Sequence, residues 1–327
     1  MFLKTVRCLI IGLFIVCFQP FNSYANQTAP DTVTIGSYII SLHDINFKDK
    51  EYTIRFWLWM LYNNKEFDFE NRVEVPNAKS IEKPDVFVDS INGQNWVLLK
   101  MKCVMKQAWK VNDFPFDKQS LIVKIENSAF DNTSFVFKPD NFGKHVDPHL
   151  AVDGWQFKNM ITKTTTSSYN TAFGDRRLQN PYTEYDCYEI SFDLQRDAWG
   201  LFLKIFIGMY VAFMIGYVSF FIHVDHIEAS FGLQVGGLFA AVGNKYITDS
   251  ALPETSSFTL VDSLHALTFI YLFIIIFISV IVLLFYKKKH YLFSNKIIKV
   301  ASIAVLGSYI LLNLILILSA IHDVGFN

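Results

Sequence analysis

Glu228–Asp249, EASFGLQVGGLFAAVGNKYITD, sets the frame for the rest of the chain. At about 1.5 Å per residue, a helix over these residues crosses a bilayer core of about 30 Å. It nevertheless carries Gln234, Asn244, Lys245 and repeated glycines, which do not suit a helix that faces only lipid. Glu228, Gly232, Gly236, Phe239, Gly243 and Tyr246 recur at steps of three and four, so they form one stripe. Glu228 bounds that stripe at one end, and Asp249 lies just past the other. Polar and ionisable groups at membrane depth face water or other protein. Two readings follow. Either several copies of the helix line an ion pathway with this stripe, or Gly232 and Gly236, a GxxxG pair, make it a close-packing surface between helices.

Composition agrees with a chain of two characters. Of 327 residues, 52% are hydrophobic and the net charge is −1, which fits a polar domain joined to membrane helices and gives no basic surface for nucleic acid. At the amino end, Lys4 and Arg7 precede the apolar run Cys8–Phe18 and the small-x-small triplet Ser23-Tyr24-Ala25. This pattern predicts a secretory signal peptide over residues 1–25, the alternative being an uncleaved anchor. Residues 26–196 are then exported. Cys8 and Cys17 leave with the signal, so Cys103 and Cys187 remain, either bridged or as two buried thiols.

Residues 26–196 read as strands. Val33, Ile35, Ile40 and Leu42, then Tyr52, Ile54, Phe56, Leu58 and Met60, follow a period of two, with Asp44–Lys50 as the turn between the runs. Further runs are Trp96–Met101, Ala108–Val111, Ser120–Ile125, Ser134–Lys138, Gly154–Met160 and Asp186–Leu194, with turn residues such as Asn92-Gly93 between them. Short strands at this spacing predict an all-β, immunoglobulin-like sandwich.

From residue 197 to 327 the pattern becomes helical, and it predicts an all-α, four-helix transmembrane domain with spans at about 199–222, 229–248, 258–285 and 297–320. Lys287, Lys288, Lys289, Lys296 and Lys299 lie between the third and fourth spans, whereas Asp249 and Glu254 lie between the second and third. That asymmetry puts the lysines in the cytoplasm and agrees with an exported amino-terminal domain. Lys245 and Asp262 are costly at this depth unless paired, so they are expected to meet.

A sandwich followed by four spans resembles the pentameric ligand-gated ion channels, or Cys-loop receptors. Phe114-Pro115-Phe116-Asp117-Lys118-Gln119 looks like the FPFDxQ loop of that family, and Trp57-Leu58-Trp59-Met60-Leu61-Tyr62 is similar to its second strand. Arg196 stands where the family has a basic residue before the first membrane helix, and Ala251-Leu252-Pro253 resembles its proline-bearing loop between the second and third spans. The short lysine loop looks like the bacterial branch, which lacks the long cytoplasmic domain. Gln107 and Leu121 replace the two cysteines that bracket the FPFD loop in animal receptors, and Gly208 replaces the usual proline of the first span.

The resemblance implies a homo-oligomer, a pentamer, in the inner (plasma) membrane, multi-pass, with the amino-terminal domain on the periplasmic or extracellular side. It implies a ligand-gated, cation-selective channel. Its pore would be lined by Glu228, Gly232, Gly236, Phe239, Gly243, Tyr246 and Asp249, with carboxylate rings attracting permeant cations and Phe239 as the hydrophobic constriction. The alternative is a non-conducting receptor or scaffold that keeps the fold. A small-molecule ligand would bind between outer domains. One subunit would offer the segments Asp85–Asn92 and Asn127–Phe130 and the hairpin Tyr169–Asp186, with charged Asp175, Arg176, Arg177 and Glu184, and its neighbour would offer Trp57. Trp57, Phe130, Tyr182 and Tyr185 then either form an aromatic cage suited to an ammonium group or simply pack in the core. Asp117, Phe116, Arg196 and Pro253 would couple the outer domain to the helices, with Asp117 paired to Arg196. No Walker loop, GxSxG, HExxH or CxxC pair occurs, so neither an enzyme nor a cofactor is expected. His223-Val224-Asp225-His226 reads as a solvated turn rather than a metal site.

Overall fold

The computed structural model of the protein describes residues 29–142, 145–174, 176, 181–250 and 252–326. The expected signal peptide and the hairpin residues Asp175 and Arg177 lie outside the described residues. Alternation of apolar side chains builds the first half. β1 (Asp31–Asn46), β2 (Glu51–Tyr62), β4 (Ala78–Ile91), β5 (Gln94–Lys106) and β7 (Phe135–Pro139) form a five-stranded sheet in the order β4-β5-β2-β1-β7. β3 (Val73–Glu74), β6 (Lys118–Asn127), β8 (Trp155–Tyr169) and β9 (Thr183–Arg196) form a four-stranded sheet in the order β3-β6-β9-β8. Ile54, Phe56, Leu58 and Met60 from β2, Val97, Leu99 and Met101 from β5, and Leu121, Val123 and Ile125 from β6 are fully buried in one shared core. Each such side chain contributes about 1.5–3 kcal/mol by leaving water. The β4–β5 hairpin turns at Asn92 and Gly93, both with positive φ, as a tight hairpin turn requires.

The immunoglobulin-like reading reduces here to two sheets on one core, and β1 pairs with β7 in parallel. β4 was not legible in the sequence because it is an edge strand with no buried residue, so burial imposes no alternation on it. Ala108–Val111, read as a strand, is irregular. The Gln119 side chain takes the place of a ladder partner, accepting from the Lys110 N–H at 3.1 Å and donating to the Lys110 carbonyl at 2.7 Å. β1 also continues three residues into the expected turn, to Asn46.

The second half is helical, and together with the short α1 (Phe69–Arg72) it makes five α-helices among the described residues: α2 (Ala198–Val218), α3 (Ile227–Ser250), α4 (Leu260–Lys287) and α5 (Tyr291–Phe326) are the long ones. The expected four-helix transmembrane domain is not what the structure contains. Among the described residues, three stretches are long and apolar enough to cross a membrane: Ala198–Phe221 with mean hydropathy 2.0, Leu260–Lys287 with 3.1, and Tyr291–His322 with 2.3. α3 falls outside that set because glycines, Gln234, Asn244, Lys245 and Asp249 dilute its apolar content. The region therefore has three apolar helices and one polar, glycine-rich helix packed beside α2 and α4.

Candidate functional site

Helix α3 has two faces. Ser230, Gln234, Gly237, Ala241 and Thr248 are buried against the neighbouring helices. All seven residues of the expected lining, Glu228, Gly232, Gly236, Phe239, Gly243, Tyr246 and Asp249, are exposed, with Phe239 and Tyr246 exposed by 72% and 77%. A Cβ placed on Gly232, Gly236 or Gly243 would meet nothing within 4 Å. These glycines therefore do not serve close packing within the chain. That role falls to Gly237, where a Cβ would lie 2.7 Å from the Ala212 carbonyl oxygen and 3.2 Å from the Gly216 nitrogen. The alternative reading of Gly232 and Gly236 as a GxxxG packing pair finds no partner within this chain, where the adjacent Gly237 makes the close approach instead.

The buried face of α3 is polar. The Gln234 amide donates to Ser219 Oγ at 2.8 Å and to Ser279 Oγ at 2.6 Å, joining α3 to the end of α2 and to α4. Asn244 donates to the Ile205 carbonyl at 3.0 Å and faces a His265 ring nitrogen at 3.0 Å. His265 is fully buried, its other ring nitrogen lying 2.8 Å from the Val261 carbonyl. Lys245 donates to Asp262 at 2.7 Å and also to Asp249, so two carboxylates at this end of the stripe share one lysine charge. Asp262 has a second role, accepting from Thr259 N–H at 2.8 Å as half of the capping box that starts α4.

Where the sheets meet the helices, Arg196 binds Asp117 through two hydrogen bonds, Nε to Oδ1 at 2.6 Å and Nη2 to Oδ2 at 3.2 Å. Its guanidinium carbon lies 4.0 Å from the Trp155 ring, 4.6 Å from Phe47 and 4.9 Å from Phe114. Trp155 was not singled out in the sequence, although it opens the strand that pairs with Arg196. Phe116 is buried against Trp199 and Phe202 of α2, ring centres 5.2 and 5.6 Å away. The loop after α3 meets the same region: Pro253 is buried, Ser257 Oγ donates to the Asn112 side chain at 3.1 Å, and Leu260 N–H donates to the Asn112 carbonyl at 2.7 Å.

The four aromatic residues expected at a ligand site are not gathered in one chain. Trp57 lies on β2 beside Phe87 and Lys100, and Phe130 packs on Phe67 with ring centres 5.2 Å apart. Tyr182 is exposed and donates to Glu184 at 2.8 Å. Tyr185 alone lines a cavity of about 320 Å³, together with Glu74, Glu126, Asn127, Ser128, Tyr169 and Phe173. The Tyr169, Phe173 and Tyr185 rings lie within 5.6–6.3 Å of one another. Glu126 is buried and accepts from the Ser167 hydroxyl and from the Tyr169 hydroxyl at 2.9 Å. Burial, then the hydrogen bond to Glu126, raises the Tyr169 pKa above its ordinary value. Burial and nearby carboxylates raise that of Tyr185. Sequence reading reached the hairpin that holds Tyr169 and Phe173 without singling them out, and it missed Glu126, because which side chains turn toward one cavity depends on the β6–β9–β8 register. The expected segment Asp85–Asn92 lies at the β4 edge and its turn.

Cys103 and Cys187 are free, buried thiols on different sheets, and burial pushes the Cys103 thiol up to about 12. Among the described residues, no group of three His, Cys, Asp or Glu is placed to hold a metal. No known family model matches the chain.

Proposed function

We propose that the protein is a ligand-gated, cation-selective channel that works as a ring of identical subunits, five by its resemblance to the pentameric receptors. The observation that carries this reading is the uncovered stripe of α3. A helix too polar to face lipid leaves Glu228, Gly232, Gly236, Phe239, Gly243 and Tyr246 without a partner while Ser230, Gln234, Gly237, Ala241 and Thr248 are buried against the neighbouring helices. Copies turned toward a common axis put that stripe on water and leave the three apolar helices to the lipid. A ring of Glu228 carboxylates then attracts cations, and a ring of Phe239 side chains supplies a dewetting constriction. Asp249 contributes less charge than its position suggests, because Lys245 binds it.

The ligand in this reading is a small organic cation, held by the Tyr169, Phe173 and Tyr185 rings with Glu74 and Glu126 as counter-charges. Binding shifts the population of open rings only as far as the ligand prefers them. The Arg196–Asp117 cluster is the mechanical link, since it joins β6 and β9 to the start of α2.

Full-length protein reconstituted in planar bilayers under a salt gradient tests the proposal, with tetramethylammonium as the probe. Cation-selective current, raised by the probe, weakened in selectivity by Glu228→Gln and enlarged by Phe239→Ala, supports it. Silence of correctly assembled protein with and without the probe sinks it. A second reading, a non-conducting scaffold, draws on the open space around Gly232 and Gly236, which lets α3 helices of adjacent copies close on one another. That reading requires silence together with loss of assembly in Gly236→Leu.

A further inference from the structure

From Asp262 to Asp323 the sequence holds no carboxylate, and all five lysines of that stretch, Lys287, Lys288, Lys289, Lys296 and Lys299, fall in one turn-and-helix segment. α4 ends in a tight turn, with Lys288 N–H donating to the Leu284 carbonyl at 3.3 Å and Lys289 N–H to the Tyr286 carbonyl at 2.9 Å, and Lys289 takes a φ of 65°. The first three lysines thus sit at the carboxyl end of α4, where the helix dipole favours cations. All five are exposed, and among the described residues none has an ion-pair partner. Asp225, at the same end of the helices, is engaged by the Tyr286 hydroxyl at 2.7 Å.

Apolar side chains stand beside the lysines. Leu292 and Phe293 at the start of α5 are exposed by 90% and 51%. Leu292, Lys296 and Lys299 follow a spacing of four and three, so they share one helix face. The two most apolar helices of the chain meet at this turn, which puts the segment at a membrane surface. Unneutralised ammonium groups mixed with exposed apolar side chains at that level match a phosphate headgroup above and acyl chains below. We propose that Lys287, Lys288, Lys289, Lys296 and Lys299, with Leu292 and Phe293, form a binding site for anionic phospholipid at the turn between α4 and α5.

The test is lipid retention by the full chain in detergent, measured by native mass spectrometry with added phosphatidylglycerol, phosphatidylcholine or inorganic phosphate. The wild type should retain phosphatidylglycerol over phosphatidylcholine, and Lys296→Gln with Lys299→Gln should weaken retention about fivefold per lysine removed. Leu292→Ser should weaken retention of the lipid without touching the charge. If the double variant does not fold, Lys287→Gln with Lys288→Gln, outside the body of α5, makes the same test. Equal retention of the two lipids, retention unchanged in the lysine variants, or displacement of the lipid by inorganic phosphate at equal concentration overturns the proposal.

Discussion

Arg196 and Asp117 form a two-pronged ion pair whose side chains are only 10% and 2% exposed, and three aromatic rings enclose the arginine. Breaking a buried pair leaves one charge without a partner, which costs about 3–5 kcal/mol. Asp117→Ala and Arg196→Ala should each lower stability by about that amount, and the double variant should lose clearly less than the sum. Thermal unfolding of the four proteins in one detergent gives the coupling energy; additive losses would mean that the two side chains do not act as a pair.

The glycines of α3 separate by side. Gly237→Ala pushes a methyl group against the Ala212 carbonyl, and such overpacking costs about 1–3 kcal/mol. Gly232→Ala and Gly243→Ala meet open space and improve helix propensity, so the folded monomer should be unchanged or more stable by up to about 1 kcal/mol. Melting curves distinguish the two groups. Similar losses for all three would show that the stripe is packed after all.

Asp186 carries a pH signature. It is buried and accepts the Phe137 N–H, and its pKa is raised, burial outweighing that hydrogen bond. The folded chain therefore holds this proton more tightly than the unfolded chain does. Between the ordinary carboxylate value near 3.8 and the raised folded value, stability drains away as pH rises. Asp186→Asn lacks this step. The difference, wild type minus variant, should fall across that window and level off above it; a difference that grows with pH contradicts the assignment.

At the start of α4, Asp262 both binds Lys245 and caps the helix, while Lys245 also binds Asp249. In an Asp249→Ala background, Lys245→Met removes only the ion pair with Asp262. Asp262→Ala removes the pair and the reciprocal cap with Thr259, so it should cost about 1 kcal/mol more. Equal losses by calorimetry would assign the whole effect to the pair.

The thiols give a simple check on the core. Cys103 is fully buried with its pKa pushed up to about 12, and Cys187 is buried with its pKa raised as well. The thiolate is the reactive form. Both should resist alkylation in the folded protein near neutral pH and label fully in denaturant, read by intact-mass spectrometry. Rapid labelling of either in the folded chain would show an open core.

Much of this was legible in the chain. Alternation at Tyr52–Met60 found β2, Asn92-Gly93 marked a turn, and the cost of charge at membrane depth brought Lys245 to Asp262. β4 escaped because an exposed edge strand has no buried face to pattern. The number of apolar spans was misjudged at α3, where length suggested a span and composition did not.

The sequence by itself determined a strand-rich first half, a helical second half and the stripe of small and acidic residues on α3, since each follows from local order along the chain. Only the tertiary structure decided which glycine touches a neighbour and which faces open space. It also decided that Trp155 joins Phe47 and Phe114 around Arg196, and that Tyr185 shares a cavity with Tyr169 and Glu126. Those relations depend on strand register and helix rotation, which long-range packing sets and no local pattern encodes.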